Sequence, residues 1–257
     1  MLKQLKKDKL LCEIFETRGE MGKAAANDIH DKIIELLSEK DVINMIFAAA
    51  PSQNEVLEEL SQKNDIPWER INAFHMDEYI GLEDSAPQRF GNFLKNAIFD
   101  KVPFKSVNLI NSNTSSIDDE CKRYTELLKN NPVDIVCLGI GETGHIAFND
   151  PGVADFNDTK LIKPVELDDI CRQQQVNDGC FANIDLVPKT ALSLTIPALT
   201  SGTYMFCVVP APTKANAVKE TMTGEISEKC PATIMRNHDH AIMYCDRDSG
   251  AHLLAED

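Results

Sequence analysis

Two short stretches of this 257-residue chain carry the residue types that proton chemistry requires. In Gly139-Ile140-Gly141-Glu142-Thr143-Gly144-His145-Ile146-Ala147-Phe148-Asn149-Asp150-Pro151, a histidine sits in a glycine-rich run with a hydroxyl at Thr143 and acids at Glu142 and Asp150. Histidine is the usual side chain for moving protons near pH 7, and an acid that orients its ring raises its basicity. Asp150 and Glu142 are the two candidates for that orienting role. The second stretch, Phe74-His75-Met76-Asp77-Glu78-Tyr79-Ile80-Gly81-Leu82, places two acids directly after an apolar run. Taken singly, each stretch has an ordinary reading: a histidine satisfied within a turn, and an acidic pair that caps a helix or sits in solvent. Taken together, they predict one cleft that both Asp77 and His145 face.

Both stretches follow strand-like runs, at 71–76 and 133–138, and open parallel sheets place ligands outside the carboxyl ends of their strands. Apolar residues at helical spacing predict helices over 19–38, from 51 to about 63, and over 88–99, 117–130 and 212–222. Further strands are expected at 42–50, 107–110, 161–165, 191–195, 205–209 and 241–245. This alternation predicts an α/β fold with a largely parallel sheet. The polar stretch 154–188 reads as an active-site lid or a surface excursion. No linker interrupts the chain, so residues 1–257 are expected to form one domain, with the basic segment 1–15 a solvated tail or a first strand.

A formal net charge of −15 argues against a nucleic-acid-binding face, because phosphate backbones call for a surplus of lysine and arginine. No run approaches the roughly 20 apolar residues of a membrane span, and the basic start lacks the apolar core of a targeting signal. The eight cysteines show neither a C-x-x-C pair nor metal-ligand spacing. They are expected to be reduced and largely buried in a cytoplasmic protein that holds no metal.

The two stretches resemble the glucosamine-6-phosphate deaminase family, which is related to the 6-phosphogluconolactonases. The resemblance continues through Val187-Pro188-Lys189-Thr190-Ala191-Leu192-Ser193 and Lys214-Ala215. Asp77-Glu78-Tyr79 favours the deaminases, since lactonases typically carry Asp-Glu-Arg there. The resemblance implies a Rossmann-like three-layer α/β/α fold. It also implies conversion of glucosamine 6-phosphate to fructose 6-phosphate and ammonia, without metal or organic cofactor. Asp77 would shuttle a proton from C2 to C1, His145 would open the sugar ring, and Asp150 takes the place of a family glutamate that assists the histidine. Some members are hexamers and others act alone, so a homo-oligomer is left open.

The departures are specific. Thr143 stands where the family has an aspartate two residues before the histidine, and threonine cannot stabilise an imidazolium by charge. At the phosphate loop this chain has Ala50-Pro51-Ser52-Gln53-Asn54-Glu55, where Ser52, Gln53 and Asn54 could add donors at a helix N-terminus. Ser52 equally reads as a capping box with Glu55, which would bring a carboxylate close to the phosphate. Lys214 matches a phosphate-contacting lysine, and Glu78, Gly141 and Gly144 complete the expected substrate surroundings. A family arginine before Phe181 has no counterpart in Gly179-Cys180-Phe181; Arg172 could substitute, or could pair with Asp168 or Asp169 on a surface turn, and Arg89 is a separate candidate anion contact. Two other readings stand beside the deaminase: a sugar-lactone hydrolase in which His145 activates water, and a non-catalytic sugar-phosphate sensor.

Overall fold

The computed structural model describes residues 1–255. Its strands are β1 Lys3–Lys7, β2 Leu10–Ile14, β3 Ile43–Phe47, β4 Ile71–His75, β5 Asp77–Tyr79, β6 Ser106–Asn108, β7 Ile135–Leu138, β8 Ile162–Glu166, β9 Thr190–Leu194, β10 Tyr204–Val209 and β11 Ala241–Cys245. Its helices are α1 Arg18–Glu39, α2 Asn54–Ser61, α3 Phe90–Leu94, α4 Ile117–Asn130, α5 Asp169–Asn177, α6 Ile196–Thr200, α7 Ala215–Thr223 and α8 Ala251–Leu254. The helix expected over 88–99 is α3 continued by a wider turn, Lys95–Phe99, with π-type hydrogen bonding.

Eight strands form one sheet in the order β1-β2-β11-β10-β7-β3-β4-β6, parallel in every pairing except β1 with β2. Side chains alternate across a strand, and the two faces separate accordingly. Met45 and Phe47 of β3 pack with Met21, Ala25, Ile29 and Ile33 of α1 and with Val56, Leu57 and Leu60 of α2. Ile46 points the other way, into a cluster with Tyr124 and Leu128 of α4, Leu199 of α6, and Val218 and Met222 of α7. These are the three layers of an α/β/α fold, with the buried strands of the sheet between two apolar cores.

Two expectations are sharpened. Of the two forms open to the N-terminal segment, a solvated tail or a first strand, it takes the strand form, as a β-hairpin: Leu10, Cys12 and Ile14 are fully buried where β2 pairs with β11, and the lysine-rich β1 forms the outer edge. Lysines on an edge strand discourage pairing with another chain. The strands expected at 161–165 and 191–195 exist, but as β8 and β9 of a separate antiparallel sheet, β5-β9-β8, rather than as part of the parallel one. The irregular stretch 154–188 contains β8 and a helix, α5, that the sequence pattern did not show. Among the described residues, no helix is long and apolar enough to cross a membrane.

Candidate active site

Asp77 is fixed where the chain leaves one sheet for the other. The Met76 carbonyl, one residue past β4, accepts from Leu194 N at 2.8 Å, and Asp77 then pairs with Ser193 of β9. The Asp77 side chain lines a cavity at the carboxyl edge of the main sheet but is only 7% exposed. Burial, reinforced by the neighbouring Glu78 charge, raises its pKa well above the usual carboxylate range. The Glu78 carboxylate does not reach that cavity. It accepts from the backbone N–H groups of Tyr79, Phe90 and Gly91, each at 3.0 Å, and so caps α3. Burial also raises the Glu78 pKa, with these amides and Arg89 opposing.

Opposite Asp77, the loop after β7 folds back on itself. Gly141 N donates to His145 O at 2.9 Å and Gly144 N to Gly141 O at 3.0 Å. Gly144 has φ +77°, and a Cβ there would stand 2.4 Å from Cys230 Sγ. A Cβ on Gly141 would lie 2.1 Å from the His145 ring, so the imidazole rests directly against that glycine. His145 Nδ1 lies 2.6 Å from Asp150 Oδ1, both side chains being buried. Thr143 Oγ1 is 3.1 Å from the same ring nitrogen and donates to Asp150 Oδ1 at 3.2 Å. With Nδ1 engaged by Asp150, Nε2 of the cavity-lining ring is the nitrogen left to accept a proton. Burial works against ionisation of Asp150, but the His145 charge and hydrogen bonds from His145, Cys171 and Thr143 outweigh it and lower its pKa. Of the two candidates for orienting His145, Asp150 therefore makes the contact. Glu142 instead gives its backbone N–H to Gln174 Oε1 at 2.8 Å, and its carboxylate Oε1 is buried without a partner among the described residues.

The loop is also tied to the small sheet. Phe148 N donates to Ser193 Oγ at 3.1 Å, and Asn149 Nδ2 donates to Ile146 O and Leu194 O, both at 2.8 Å. Ala147 adopts φ 50° and Ala211, after β10, φ 85°. Both non-glycine residues lie in the sparsely populated left-handed region, and both line the cavity.

The far end of the cavity is built by the turn before α2, by the segment after β10, and by α5. Ser52 lines it, while Gln53 is fully buried beneath and donates from Nε2 to Leu138 O and Ser52 Oγ, both at 3.2 Å. The capping box does not form, because the Glu55 carboxylate is held by Arg18 at 2.9 Å through both oxygens. Lys214 lines this end, 5% exposed, with no hydrogen-bond or ion-pair partner among the described residues. Burial lowers its pKa, against the opposing charges of Asp178 and Glu142. Gln174, Gln175 and Asp178 complete the wall.

Of the residues singled out from the sequence, Asp77, His145, Gly141, Ser52 and Lys214 thus meet at one cavity, with Thr143 and Asp150 behind His145. Asn54, Glu78, Gly144 and Arg172 lie outside its lining. Arg172 is buried and donates to the carbonyls of Val187 and Ile184 and to Asp169, bracing the turn after α5. Arg89 is paired with Asp84 and approaches Glu78 at 3.7 Å, away from the cavity. Sequence reasoning missed Arg18, Gln174, Gln175 and Asp178. The one local signal for α5 was Asp168, whose side chain accepts from Cys171 N at 2.7 Å as an N-cap. His145, Asp150 and Cys171 offer nitrogen, oxygen and sulfur within 4.8 Å of one another, but these atoms are engaged mutually as a hydrogen-bonded unit.

The arrangement is equipped to move protons: a desolvated carboxyl on one wall, a carboxylate-oriented imidazole on the other, and a buried cation at the far end. Comparison with known proteins agrees with it. The model of the family described as glucosamine-6-phosphate isomerases/6-phosphogluconolactonase matches residues 16–244. A glucosamine-6-phosphate deaminase of Bacillus cereus (strain B4264) is 33% identical over 236 residues, 92% of this chain and 86% of that protein. One from Bacillus cytotoxicus is 35% identical over 188 residues, 73% of this chain and 70% of its own length. Among solved structures, a monomeric glucosamine-6-phosphate deaminase matches with a TM-score of 0.84 and 28% identity, over 93% of this chain and 98% of that one. The 6-phosphogluconolactonase of Thermotoga maritima, at 21% identity and a TM-score of 0.75 over 93% of this chain and 100% of its own, shares the fold. Through a family match that spans nearly all of its layered fold and both walls of the cavity, this chain belongs to the glucosamine-6-phosphate isomerase/6-phosphogluconolactonase family of enzymes.

Proposed function

We propose that this enzyme converts an amino-sugar phosphate, glucosamine 6-phosphate, to fructose 6-phosphate and ammonia. The observation that carries the reading is the sharing of one cavity by Asp77 and the His145–Asp150 pair. In the first step His145 Nε2 takes the proton of the sugar O1 hydroxyl and delivers it to the ring oxygen, so that the C1–O5 bond breaks and the aldehyde forms. Asp150 holds the imidazole in the tautomer this requires and stabilises the transient positive charge. Asp77, as carboxylate, then removes the C2 proton while the aldehyde O1 takes up a proton that the C2 amine gives up, and Asp77 returns its proton to C1, giving the 2-imine of the ketose. Water adds to C2 and ammonia departs, so one water is consumed for each amine released.

The raised pKa of Asp77 suits a base that must also hold the proton between C2 and C1. Met76, Phe90 and Phe148, which line the same cavity, present apolar surface that limits water in it. Lys214 and Ser52 lie at the end where the phosphate would be held. The described cysteines are all free, which accords with a cytoplasmic, reducing setting.

The test is incubation of the purified protein with glucosamine 6-phosphate while ammonia and fructose 6-phosphate are followed separately. Equimolar appearance of the two is expected. Absence of turnover with this sugar and with its galactosamine epimer overturns the proposal. In that event, hydrolysis of 6-phosphogluconolactone identifies a lactonase, and thermal stabilisation by a sugar phosphate without turnover identifies a sensor.

A further inference from the structure

We infer that Arg18 is a specificity-determining residue that grips the phosphate of the substrate together with Lys214; the inference rests on the reaction proposed above. A phosphate monoester near neutral pH carries close to two negative charges. Besides His145, the cavity wall presents two basic side chains, Lys214 and Arg18. Arg172, the second cation suggested by sequence, is occupied with the carbonyls of Ile184 and Val187.

Arg18 opens α1 and is aimed by α2. Its Nε and Nη2 donate to the two oxygens of Glu55, and Nη2 also donates to the Pro51 carbonyl, all at 2.9 Å. The two helices can approach this closely because residue 22 is glycine: a Cβ there would stand 2.4 Å from the Glu55 Cβ. The fork-on-fork pair fixes the guanidinium plane at the helix start that also presents Ser52, and it leaves Nη1 uncommitted among the described residues. A guanidinium held in this way loses little freedom when it binds an anion. Because Glu55 offsets part of its charge, Arg18 acts chiefly through directed hydrogen bonds, while Lys214 supplies the unpaired charge. Glu55 has a matching role as the residue that positions Arg18.

Two readouts test the assignment. Calorimetric titration with inorganic phosphate reports on the subsite without turnover, and steady-state kinetics compare glucosamine 6-phosphate with unphosphorylated glucosamine. Arg18→Gln is expected to weaken phosphate binding and to raise KM for the phosphorylated sugar by about tenfold, with kcat changed by less than about threefold and no effect on unphosphorylated glucosamine. Since Arg18→Gln strands Glu55, the double variant Arg18→Gln/Glu55→Gln serves as the folding control: two amides replace the ion pair, melting temperature recovers, and phosphate binding stays weak. Parent-like phosphate affinity in the folded double variant overturns the inference. Loss of phosphate binding on Arg18→Gln in a protein that does not turn over glucosamine 6-phosphate upholds the subsite and overturns the reaction instead.

Discussion

Asp77 and Asp150 are both nearly sealed from solvent at one cavity, yet their surroundings drive them in opposite directions. At the β4–β5 junction Asp77 has burial and the like charge of Glu78 acting on it, and its pKa rises. In the loop after β7, Asp150 is buried too, but the charge of His145 and three side-chain hydrogen bonds lower its pKa. The difference teaches that burial alone does not assign a role to a carboxylate; the partner does. In the proposed reaction, a pair of acids driven apart in this way would divide the labour of proton transfer, one carrying a proton and the other remaining ionised to orient the imidazole. His75 makes the same point from the other side. Burial, with no carboxylate partner among the described residues, pushes its pKa down to about 3, and its Nε2 accepts from Ile110 N at 2.8 Å as a neutral structural group.

The largest effect is expected from removing the carrier. Asp77→Asn should lower kcat by about 10³- to 10⁴-fold and abolish exchange of the C2 proton with solvent. An acid whose pKa is higher in the folded than in the unfolded chain binds more protons when folded. Stability is therefore greatest below the unfolded value of about 3.9 and is lost as pH rises through the folded value. Asp77→Asn should accordingly preserve or raise the melting temperature at pH 7 and flatten its decline over that window. Retained exchange, or a lower melting temperature at pH 7, breaks the comparison. In the parent enzyme the acid limb of kcat/KM should lie above the ordinary carboxylate range, since Asp77 must ionise to act.

Removing the other member should cost less and carry the opposite pH signature. Asp150→Asn is expected to reduce kcat/KM by about a hundredfold, because the imidazole loses its tautomer and the charge that stabilises it. The depressed pKa of Asp150 contributes stability above its unfolded value that is lost as pH falls through the folded value, so the variant should lose less stability on acidification than the parent does. Equal acid sensitivity in the two proteins, followed by thermal melts, contradicts the contrast.

Lys214→Gln sharpens the comparison by leaving both acids in place. KM for glucosamine 6-phosphate should rise by about tenfold, with kcat within about threefold of the parent. A fall in kcat with KM unchanged would move Lys214 from the anion end to the chemistry. The smallest effect belongs to Thr143→Val, which removes one hydroxyl from the His145–Asp150 unit. A loss of about three- to tenfold in kcat/KM is expected, and a larger one would mean that Asp150 depends on Thr143 for its position.

What was legible in the sequence follows the periodicity of the residues involved. Strands 71–76 and 133–138 and helix 117–130 stand out because apolar residues recur at the spacing of one buried face, and the loops that follow inherit their place at the carboxyl edge. Helix α5 was hidden for the converse reason: Ile170 is 63% exposed while Arg172, Gln174 and Gln175 are buried, so its inward face is polar. A helix that turns amides towards a polar cavity carries no apolar stripe. Strands β8 and β9 were visible as strands but not as members of a second sheet, since pairing partners are not encoded in a strand's own pattern. The contact of Arg18 with Glu55 spans 37 positions and leaves no local trace.

By itself, then, the sequence determined the alternation of the main helices and strands, the largely parallel sheet, and the edge at which Asp77 and His145 would meet, because each follows from local patterning and the handed, layered packing it permits. Only the tertiary structure decided which atoms engage one another. It placed Asp150 rather than Glu142 on His145, turned Glu55 to Arg18 rather than to Ser52, withdrew Glu78 to cap α3, and committed Arg172 to a turn. Each of these choices is a competition among polar groups for hydrogen-bond partners as they leave water, and its outcome depends on what distant segments bring to the same few ångströms.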